Sequence, residues 1–317
     1  MPTDYLLFIH GVNTHYKGTT PNYADELFDQ IKSSASSPSR SLEKITIYWG
    51  DVTNPQEEQL RAAYKASPLW ERFWFREFRE TTLLQFAGDA ALYLSRYVGS
   101  QVVDLIKDQT LQGLSNFTPD DRLHLITHSM GTVILFDILF SSRWAEPDIS
   151  GYDSATAIRN IIFGISPNQT QGIKIGSITT MGSPIAIFSL MDAKQSMQDA
   201  KNTQNKTSTH DIAPRLEQLL ASLYQEIGRR LPWSNFAHPG DPIAYPLGTL
   251  LPRLVDGESR YLDVQDMLTH PADLSDFVTE PFSQTLLALL HGGTAHSSYW
   301  HSLEVAQGIA QSIRQAR

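Results

Sequence analysis

The chain has 317 residues, of which 41% are hydrophobic and 19% charged, so it has enough apolar material for one large domain core. Its formal net charge is −9, and a nucleic-acid partner is therefore not expected, because phosphates require a basic surface. The absence of cysteine excludes disulfides, thiolate metal sites and a cysteine nucleophile.

The first apolar run of the chain is short and follows an acidic residue, Asp4. A secretory signal would instead begin with a basic segment and continue with a longer apolar one. No run in the sequence reaches the length that crosses a bilayer. These features favour a cytoplasmic protein.

Hydrophobic periodicity predicts strands that alternate with helices along the chain. Strands are predicted at 5–10, 44–50, 122–127, 174–181, 233–238 and 260–264. Helices are predicted at 23–33, 131–144, 214–230 and 300–317. Strands and helices in this order form a mainly parallel sheet, and its ligands bind beyond the carboxyl ends of the strands.

Two longer segments, at about 51–114 and 185–230, read as helical insertions within a single domain that spans 1–317. Both leave the carboxyl edge of the sheet, where a lid or cap over a site is often found. The first insertion carries four aromatic residues on one face of a predicted helix: Trp70, Phe73, Trp74 and Phe78. Packing on the core is favoured for this face, with a lid that lines an acyl pocket or contacts a lipid surface as the alternative.

The most informative motif is Thr127-His128-Ser129-Met130-Gly131, which joins a predicted strand to an almost continuously apolar helix. A serine on a sharp strand-to-helix turn is typical of a nucleophile elbow, which extends the hydroxyl into a cleft. The helix that follows points its positive dipole end toward the reacting carbonyl. The motif therefore predicts a nucleophilic serine at position 129.

At these residues the chain resembles the α/β-hydrolase superfamily, in particular its lipases and serine esterases. The family pattern is Gly-x-Ser-x-Gly, and this sequence departs from it once, with Thr127 in place of the first glycine. The resemblance implies an α/β-hydrolase fold, with a mostly parallel sheet of about six strands flanked by helices. It also implies that Ser129 works with an acid and a histidine that follow it in the chain.

The segment that ends the first strand resembles the family's His-Gly loop. The resemblance implies an oxyanion hole formed by two backbone N–H groups, those of Val12 and Met130. His10, Gly11 and His128 are expected at the adjoining substrate-binding site. His10 and His128 are interpreted there as structural hydrogen-bonding groups rather than bases.

The base is sought among the histidines that follow Ser129, because the family order is nucleophile, acid, histidine. His296 lies in a glycine-rich loop before the last predicted helix, in the run His-Ser-Ser-Tyr-Trp, and resembles the family's histidine loop. His291 and His301 remain alternatives. A histidine base predicts that activity falls as the pH drops through the ordinary histidine pKa of about 6.5.

The acid is expected after a late strand, and Asp241 in His-Pro-Gly-Asp-Pro-Ile is favoured because the family often has Asp-Pro-Ile or Asp-Pro-Val at this point. Other carboxylates later in the chain stay open as alternatives: Asp256, Asp263 and Asp266.

Together these residues predict a serine hydrolase that cleaves a small-molecule or lipid carboxylic ester through an acyl-enzyme. No cofactor or metal is expected, since the histidines lack paired ligand spacing and no phosphate-binding loop is present. Two alternatives remain: an acyltransferase or thioesterase with the same triad, and a catalytically silent hydrolase fold that serves as a binding module.

Overall fold

A computed structural model describes residues 1–12, 21–73, 76, 80, 88, 91–167, 169–188, 211–256, 259–269 and 295–317. The strands are β1 (Thr3–Ile9), β2 (Ser41–Ile47), β3 (Arg122–His128), β4 (Lys174–Met181), β5 (Leu231–Ala237) and β6 (Leu262–Leu268). The helices are α1 (Asp25–Ala35), α2 (Asn54–Lys65), α3 (Arg96–Gly113), α4 (Met130–Phe140), α5 (Tyr152–Asn160), α6 (Ile185–Phe188), α7 (Ala213–Ile227), α8 (Leu250–Val255) and α9 (Leu303–Gln315).

The six strands form one sheet in the order β2-β1-β3-β4-β5-β6, and every neighbouring pair is parallel. The predicted fold class, a mostly parallel sheet of about six strands flanked by helices, is confirmed. The strand order reverses at β1, because the chain first adds β2 on one side and then β3 on the other. Ligand sites of open α/β sheets lie at such a switch point, which here is formed by the loops after β1 and β3.

Helices cover both faces of the sheet, as a buried parallel sheet requires. One core contains the inward side chains of α3, α4, α5, α7 and α8, and the other contains those of α1 and α9. Along β1, Leu7 and Ile9 belong to the first core while Leu6 and Phe8 belong to the second. This alternation places successive side chains of β1 on opposite faces of the sheet.

The elements differ from the predictions mainly at their ends. The predicted helix 300–317 begins instead as a 3₁₀ turn (Ser298–His301), followed by α9, whose N-cap Ser302 accepts a hydrogen bond from the Val305 N–H. Helix α4 begins at Met130 and ends at Phe140, four residues before the predicted end. Helices α5 and α8 were not predicted, because both are short.

The aromatic segment of the first insertion is not the continuous helix that was predicted. Trp70 lies in a 3₁₀ turn that ends at Phe73 in extended backbone, and Phe73 is 47% exposed. Their rings stack on each other at 5.9 Å and neither belongs to a buried core, so core packing is wrong for these two residues. Trp74 and Phe78 lie outside the described residues.

In the second insertion, α7 buries four leucines in the larger core, Leu216, Leu219, Leu220 and Leu223. This part of the predicted insertion is therefore a layer of the domain itself. No helix within the described ranges is both long and apolar enough to span a membrane.

Candidate active site

Ser129 occupies the sharp turn between β3 and α4. Its backbone has φ 54° and ψ −131°, a region that residues other than glycine rarely adopt. Its N–H donates to the Met181 carbonyl at 3.0 Å, and its carbonyl accepts from the Thr132 N–H at 3.0 Å. Such strain persists only where surrounding contacts hold it, and it marks functional turns. The turn thus has the backbone features of a nucleophile elbow.

The Ser129 side chain is fully buried, whereas the sequence predicted a hydroxyl that extends into a cleft. Within the described part of the chain, its Oγ has no hydrogen-bond partner. A buried hydroxyl without a hydrogen-bond partner lowers the stability of the fold. Packing alone therefore does not explain why a serine occupies this position.

Two glycines let the loops after β1 and β3 approach each other closely. A Cβ atom at Gly11 would lie 2.4 Å from the Ser129 Cβ and 2.9 Å from its Oγ. A Cβ atom at Gly131 would lie 2.3 Å from the His10 carbonyl oxygen. Any larger residue at either position would force the two loops apart.

Thr127, which departs from the glycine of the family pattern, is accommodated by hydrogen bonds. Its hydroxyl donates to the Thr179 carbonyl at 3.1 Å and accepts from the Thr132 hydroxyl at 2.8 Å. The hydroxyl is therefore satisfied although Thr127 is fully buried. The bulkier residue fits because β4 and α4 both offer it polar partners.

His296 and Asp241 lie together, with the Nδ1 of His296 2.9 Å from the Oδ2 of Asp241. The same oxygen accepts from the Tyr299 hydroxyl at 2.8 Å, and Oδ1 accepts from the Ile243 N–H at 3.2 Å. Burial alone would raise the pKa of Asp241. The hydrogen bond and the charge of His296, together with the hydrogen bond from Tyr299, outweigh this effect, so the pKa of Asp241 is lowered. The carboxylate is therefore ionised at neutral pH.

A histidine that donates its Nδ1 proton to Asp241 carries its lone pair on Nε2. In His296 this Nε2 is buried and has no hydrogen-bond partner among the described residues. The unoccupied Nε2 is able to accept a proton, and it is not hydrogen-bonded to the Ser129 Oγ.

His128 holds the histidine segment in place. Its Nε2 donates to the His296 carbonyl oxygen at 2.6 Å, and the two rings lie 4.6 Å apart. Burial and the charge of His296 lower the pKa of His128 to about 3, so it is neutral at physiological pH. These contacts give it the structural role that the sequence suggested.

The alternative acids have other hydrogen-bonding roles. Asp256 accepts from three backbone N–H groups within 2.9 Å, and Asp266 accepts from two backbone N–H groups and the Asn235 amide. Asp263 accepts from Gln265 at 3.3 Å. The first two carboxylates organise turns, and neither is paired with His296.

Of the two alternative histidines, only His301 lies within the described residues. His301 pairs with Glu26 at 2.6 Å, and its side chain is 68% exposed. His291 lies outside the described residues. Of the predicted site residues, the structure thus brings together Ser129, Gly11 and His10 on one side, and His296, Asp241 and His128 on the other.

The two predicted oxyanion donors also lie at this edge. Met130 is the first residue of α4, so its N–H has no intrahelical acceptor. The Val12 N–H follows Gly11 and has no acceptor in the part of the chain that the structure describes.

Sequence reasoning missed two residues that complete the site, Tyr299 and Trp49. Tyr299 follows His296 by three residues, one helical turn, and this spacing is the signal that could have placed it beside the same carboxylate. Trp49 donates its indole N–H to the His10 carbonyl at 3.0 Å. No local pattern indicates that contact, because 39 residues separate the two.

No family model and no curated protein sequence matches this chain. Among solved structures it is similar to Est1E from Butyrivibrio proteoclasticus, with 9% identity, 91% of this chain and 89% of that chain covered, and a TM-score of 0.35. It is similar to an acetyl xylan esterase, with 10% identity, 98% and 97% covered and a TM-score of 0.31. It is also similar to the RedJ thioesterase of the prodiginine pathway in Streptomyces coelicolor, with 13% identity, 93% and 86% covered and a TM-score of 0.25. At these TM-scores and identities, the likeness does not bear on the activity of this chain.

Proposed function

We propose that this chain is a serine hydrolase that cleaves carboxylic esters through an acyl-enzyme. Ser129 is the nucleophile, His296 the general base and Asp241 the acid that orients it. The observation that carries the proposal is the strained serine at the start of α4, accompanied by a histidine whose Nδ1 is bound to a buried carboxylate. Neither Ser129 Oγ nor His296 Nε2 has a hydrogen-bond partner within the described ranges, so the two are not bonded to each other, and the proposal requires that this bond form when substrate binds.

In this proposal, His296 Nε2 removes the proton of Ser129 as its Oγ attacks the ester carbonyl. The carbonyl oxygen gains negative charge, and the N–H groups of Met130 and Val12 bind it, each donor contributing about 3 kcal/mol of transition-state stabilisation. His296 then gives its proton to the departing alcohol. Water, deprotonated by the same histidine, releases the acid and restores Ser129.

Asp241 supports both steps through its charge and its hydrogen bond. The bond to Nδ1 fixes the tautomer that leaves the lone pair on Nε2, and the carboxylate stabilises the imidazolium that forms. No lysine or arginine of the described residues pairs with Asp241, so its charge is directed at His296. The positive end of α4 acts on the opposite side of the reacting centre, at Met130.

Because Ser129 has no exposed surface, an ester reaches its hydroxyl only when the chain that covers it moves. We propose that this cover, on a single domain, is formed by those parts of the two predicted insertions, at about 51–114 and 185–230, that lie outside the core helices α3 and α7. Small-molecule esters are the simplest substrates for a buried site of this kind, and lipid esters would require a larger opening.

Pre-steady-state hydrolysis of p-nitrophenyl butyrate tests the proposal. We expect a burst of p-nitrophenol close to one equivalent per chain, followed by slower turnover, because acylation precedes deacylation. His296→Gln should abolish the burst while the protein remains folded. Folded wild-type protein with no burst and no turnover on oxygen esters of several acyl lengths would overturn the proposal in favour of a silent binding module, and turnover of thioesters alone would replace it with a thioesterase.

A further inference from the structure

His10 is enclosed at the carboxyl end of β1 and has no exposed surface. Its ring stacks on Trp49 at 5.3 Å with an interplanar angle of 3°, and the rings of Tyr23 and Tyr48 each lie 5.1 Å away. Both ring nitrogens of His10 contact backbone groups, so its contribution lies in these contacts.

Those contacts fix the tautomer of His10. The backbone N–H of Trp49 donates to Nε2 at 3.2 Å, so Nε2 must carry a lone pair. The ring proton is therefore on Nδ1, which lies 2.5 Å from the Gly11 carbonyl oxygen and donates to it. Both nitrogens are used, one as acceptor and one as donor.

The donor contact orients one particular peptide group. The Gly11 carbonyl and the Val12 N–H belong to the same planar trans peptide, so they point in opposite directions. Holding the carbonyl on His10 therefore aims the N–H away from His10. Gly11 itself lies against the reacting hydroxyl, because a Cβ atom there would be 2.9 Å from the Ser129 Oγ.

Trp49 holds the other side of His10. Its indole N–H donates to the His10 carbonyl at 3.0 Å, and that carbonyl is the atom that approaches Gly131 at the start of α4. Trp49, two residues after the end of β2, thus contacts both the ring and the backbone of His10. The loop is fixed from two directions before any substrate binds.

We propose that His10 is a positioning residue whose Nδ1–H fixes the Gly11–Val12 peptide, so that the Val12 N–H faces the oxyanion formed at Ser129. The inference rests on the proposed function and adds to it how the oxyanion donor is held. Preorganised donors contribute most to catalysis, because they need no reorientation as charge develops.

Two substitutions at the same position separate positioning from packing. In His10→Asn, the side-chain amide nitrogen can occupy the place of Nδ1 and donate to Gly11. In His10→Gln, the amide oxygen can occupy the place of Nε2 and accept from Trp49, but no donor replaces Nδ1. We expect kcat on p-nitrophenyl butyrate to fall about 10- to 100-fold in the Gln variant with KM changed less than about threefold, and the Asn variant to recover most of the loss.

The affinity for an aryl trifluoromethyl ketone, which forms an oxyanion on the serine, should fall in parallel with kcat. Thermal unfolding measures the stability of the two variants, and we expect both to be destabilised to a similar extent relative to wild type. Equal kcat losses in the Asn and Gln variants, or a loss confined to KM, would overturn the inference while wild-type turnover upheld the proposed function. A wild-type protein without turnover would overturn both.

A measurement on the unmodified protein covers the case in which both variants fail to fold. The ¹⁵N chemical shifts of His10 in histidine-labelled protein report which ring nitrogen carries the proton. We expect a protonated Nδ1 and an unprotonated Nε2 in the neutral ring. A proton on Nε2 would contradict the inference, whatever the variants do.

Discussion

Among the described residues, two sets of serine, histidine and aspartate residues can be compared. One set, the proposed triad, lies beyond the carboxyl edge of the sheet, and the other lies among the strands nearer their amino ends. The first consists of Ser129, His296 and Asp241. In the second, His124 Nδ1 lies 2.7 Å from the Ser177 Oγ, and His124 Nε2 lies 3.7 Å from the Asp4 Oδ1. All three residues of the second set are buried. In the second set the serine and the histidine are hydrogen-bonded, whereas Ser129 Oγ and His296 Nε2 are not, so residue types alone would not distinguish the two sets.

The acids differ in what neutralises them. Asp4 is bound by Arg40 at 2.7 Å and by Arg317 at 3.2 Å, so its charge ties β1 to the loop before β2 and to the chain's C-terminal residue. Burial would raise the pKa of Asp4, but the charges of His124 and Arg40 outweigh it and lower this pKa to about 2. Asp241, by contrast, has His296 and Tyr299 as side-chain partners among the described residues.

The serines differ in their backbone. Ser177 lies within β4, whereas Ser129 has a positive φ at the start of α4. A helix start supplies N–H groups and a positive dipole end at the reacting atom, and a strand interior supplies neither. The set that we propose as the active site thus combines backbone strain, a helix N-terminus and an acid without a lysine or arginine partner among the described residues, whereas the acid of the other set is paired with arginines.

Replacing Ser129 or Ser177 by alanine should give the largest difference in activity between paired variants. We expect Ser129→Ala to lower kcat/KM for p-nitrophenyl butyrate by at least about 10⁴-fold, because the nucleophile is lost. Ser177→Ala should leave kcat/KM within about threefold and lower the free energy of unfolding by about 1 kcal/mol, through loss of the bond to His124. Steady-state kinetics and urea unfolding of both variants measure this. Comparable losses of activity in the two would contradict the distinction.

Removing each carboxylate charge should separate activity from stability. We expect Asp241→Asn to lower kcat by about 10³- to 10⁴-fold, because the tautomer and the imidazolium lose their support. Asp4→Asn should instead destabilise the fold by about 2 to 3 kcal/mol, since two partly buried arginines lose their partner, with kcat of the folded protein retained.

The Asp4 effect has a defined dependence on pH. An acid whose pKa is lowered on folding stabilises the protein above its unfolded pKa of about 3.9, and this stabilisation is lost as the pH falls through its folded pKa of about 2. The difference in unfolding free energy between wild type and Asp4→Asn should therefore be full at pH 6 and shrink below pH 4. A difference that grew in acid would contradict the assignment.

Two buried tyrosines each donate a hydrogen bond to an aspartate, and removing their hydroxyls should give the smallest difference in activity between paired variants. Tyr299 donates to Asp241 at 2.8 Å, and Tyr93 donates to Asp137 at 2.7 Å, away from Ser129. We expect Tyr299→Phe to lower kcat about 10-fold and stability by about 1 to 2 kcal/mol, and Tyr93→Phe to lower stability alone by a similar amount. Unchanged kcat in Tyr299→Phe would show that His296 alone suffices to orient the carboxylate.

Local sequence signals were sufficient for the parts of the fold that depend on local physics. Alternating apolar residues predicted the strands, and the strand β4 was predicted with its observed ends, Lys174 and Met181. The turn around Ser129 was predicted because a strand, a small hydroxyl residue and an apolar helix follow one another directly. The helical stripe at Trp70 was wrong because a 3₁₀ turn and extended backbone at Phe73 interrupt it.

Features that depend on contacts distant in sequence were not predicted. Three such features form only in the folded chain: the hydrogen bond from Trp49 to His10, the ion pair of Asp4 with Arg317, and the full burial of Ser129. The structure likewise shows the carboxylates of Asp256 and Asp266 bound by backbone N–H groups, whereas the sequence left both residues as alternative acids.

Labelling with a fluorophosphonate is the decisive experiment for Ser129 as the nucleophile, because this reagent modifies an activated serine whatever the substrate. We expect one adduct per chain on folded wild-type protein, mapped by peptide mass spectrometry to Ser129, absent in Ser129→Ala and retained in Ser177→Ala. Folded wild-type protein without an adduct, or with its adduct on Ser177 or another serine, would contradict the account.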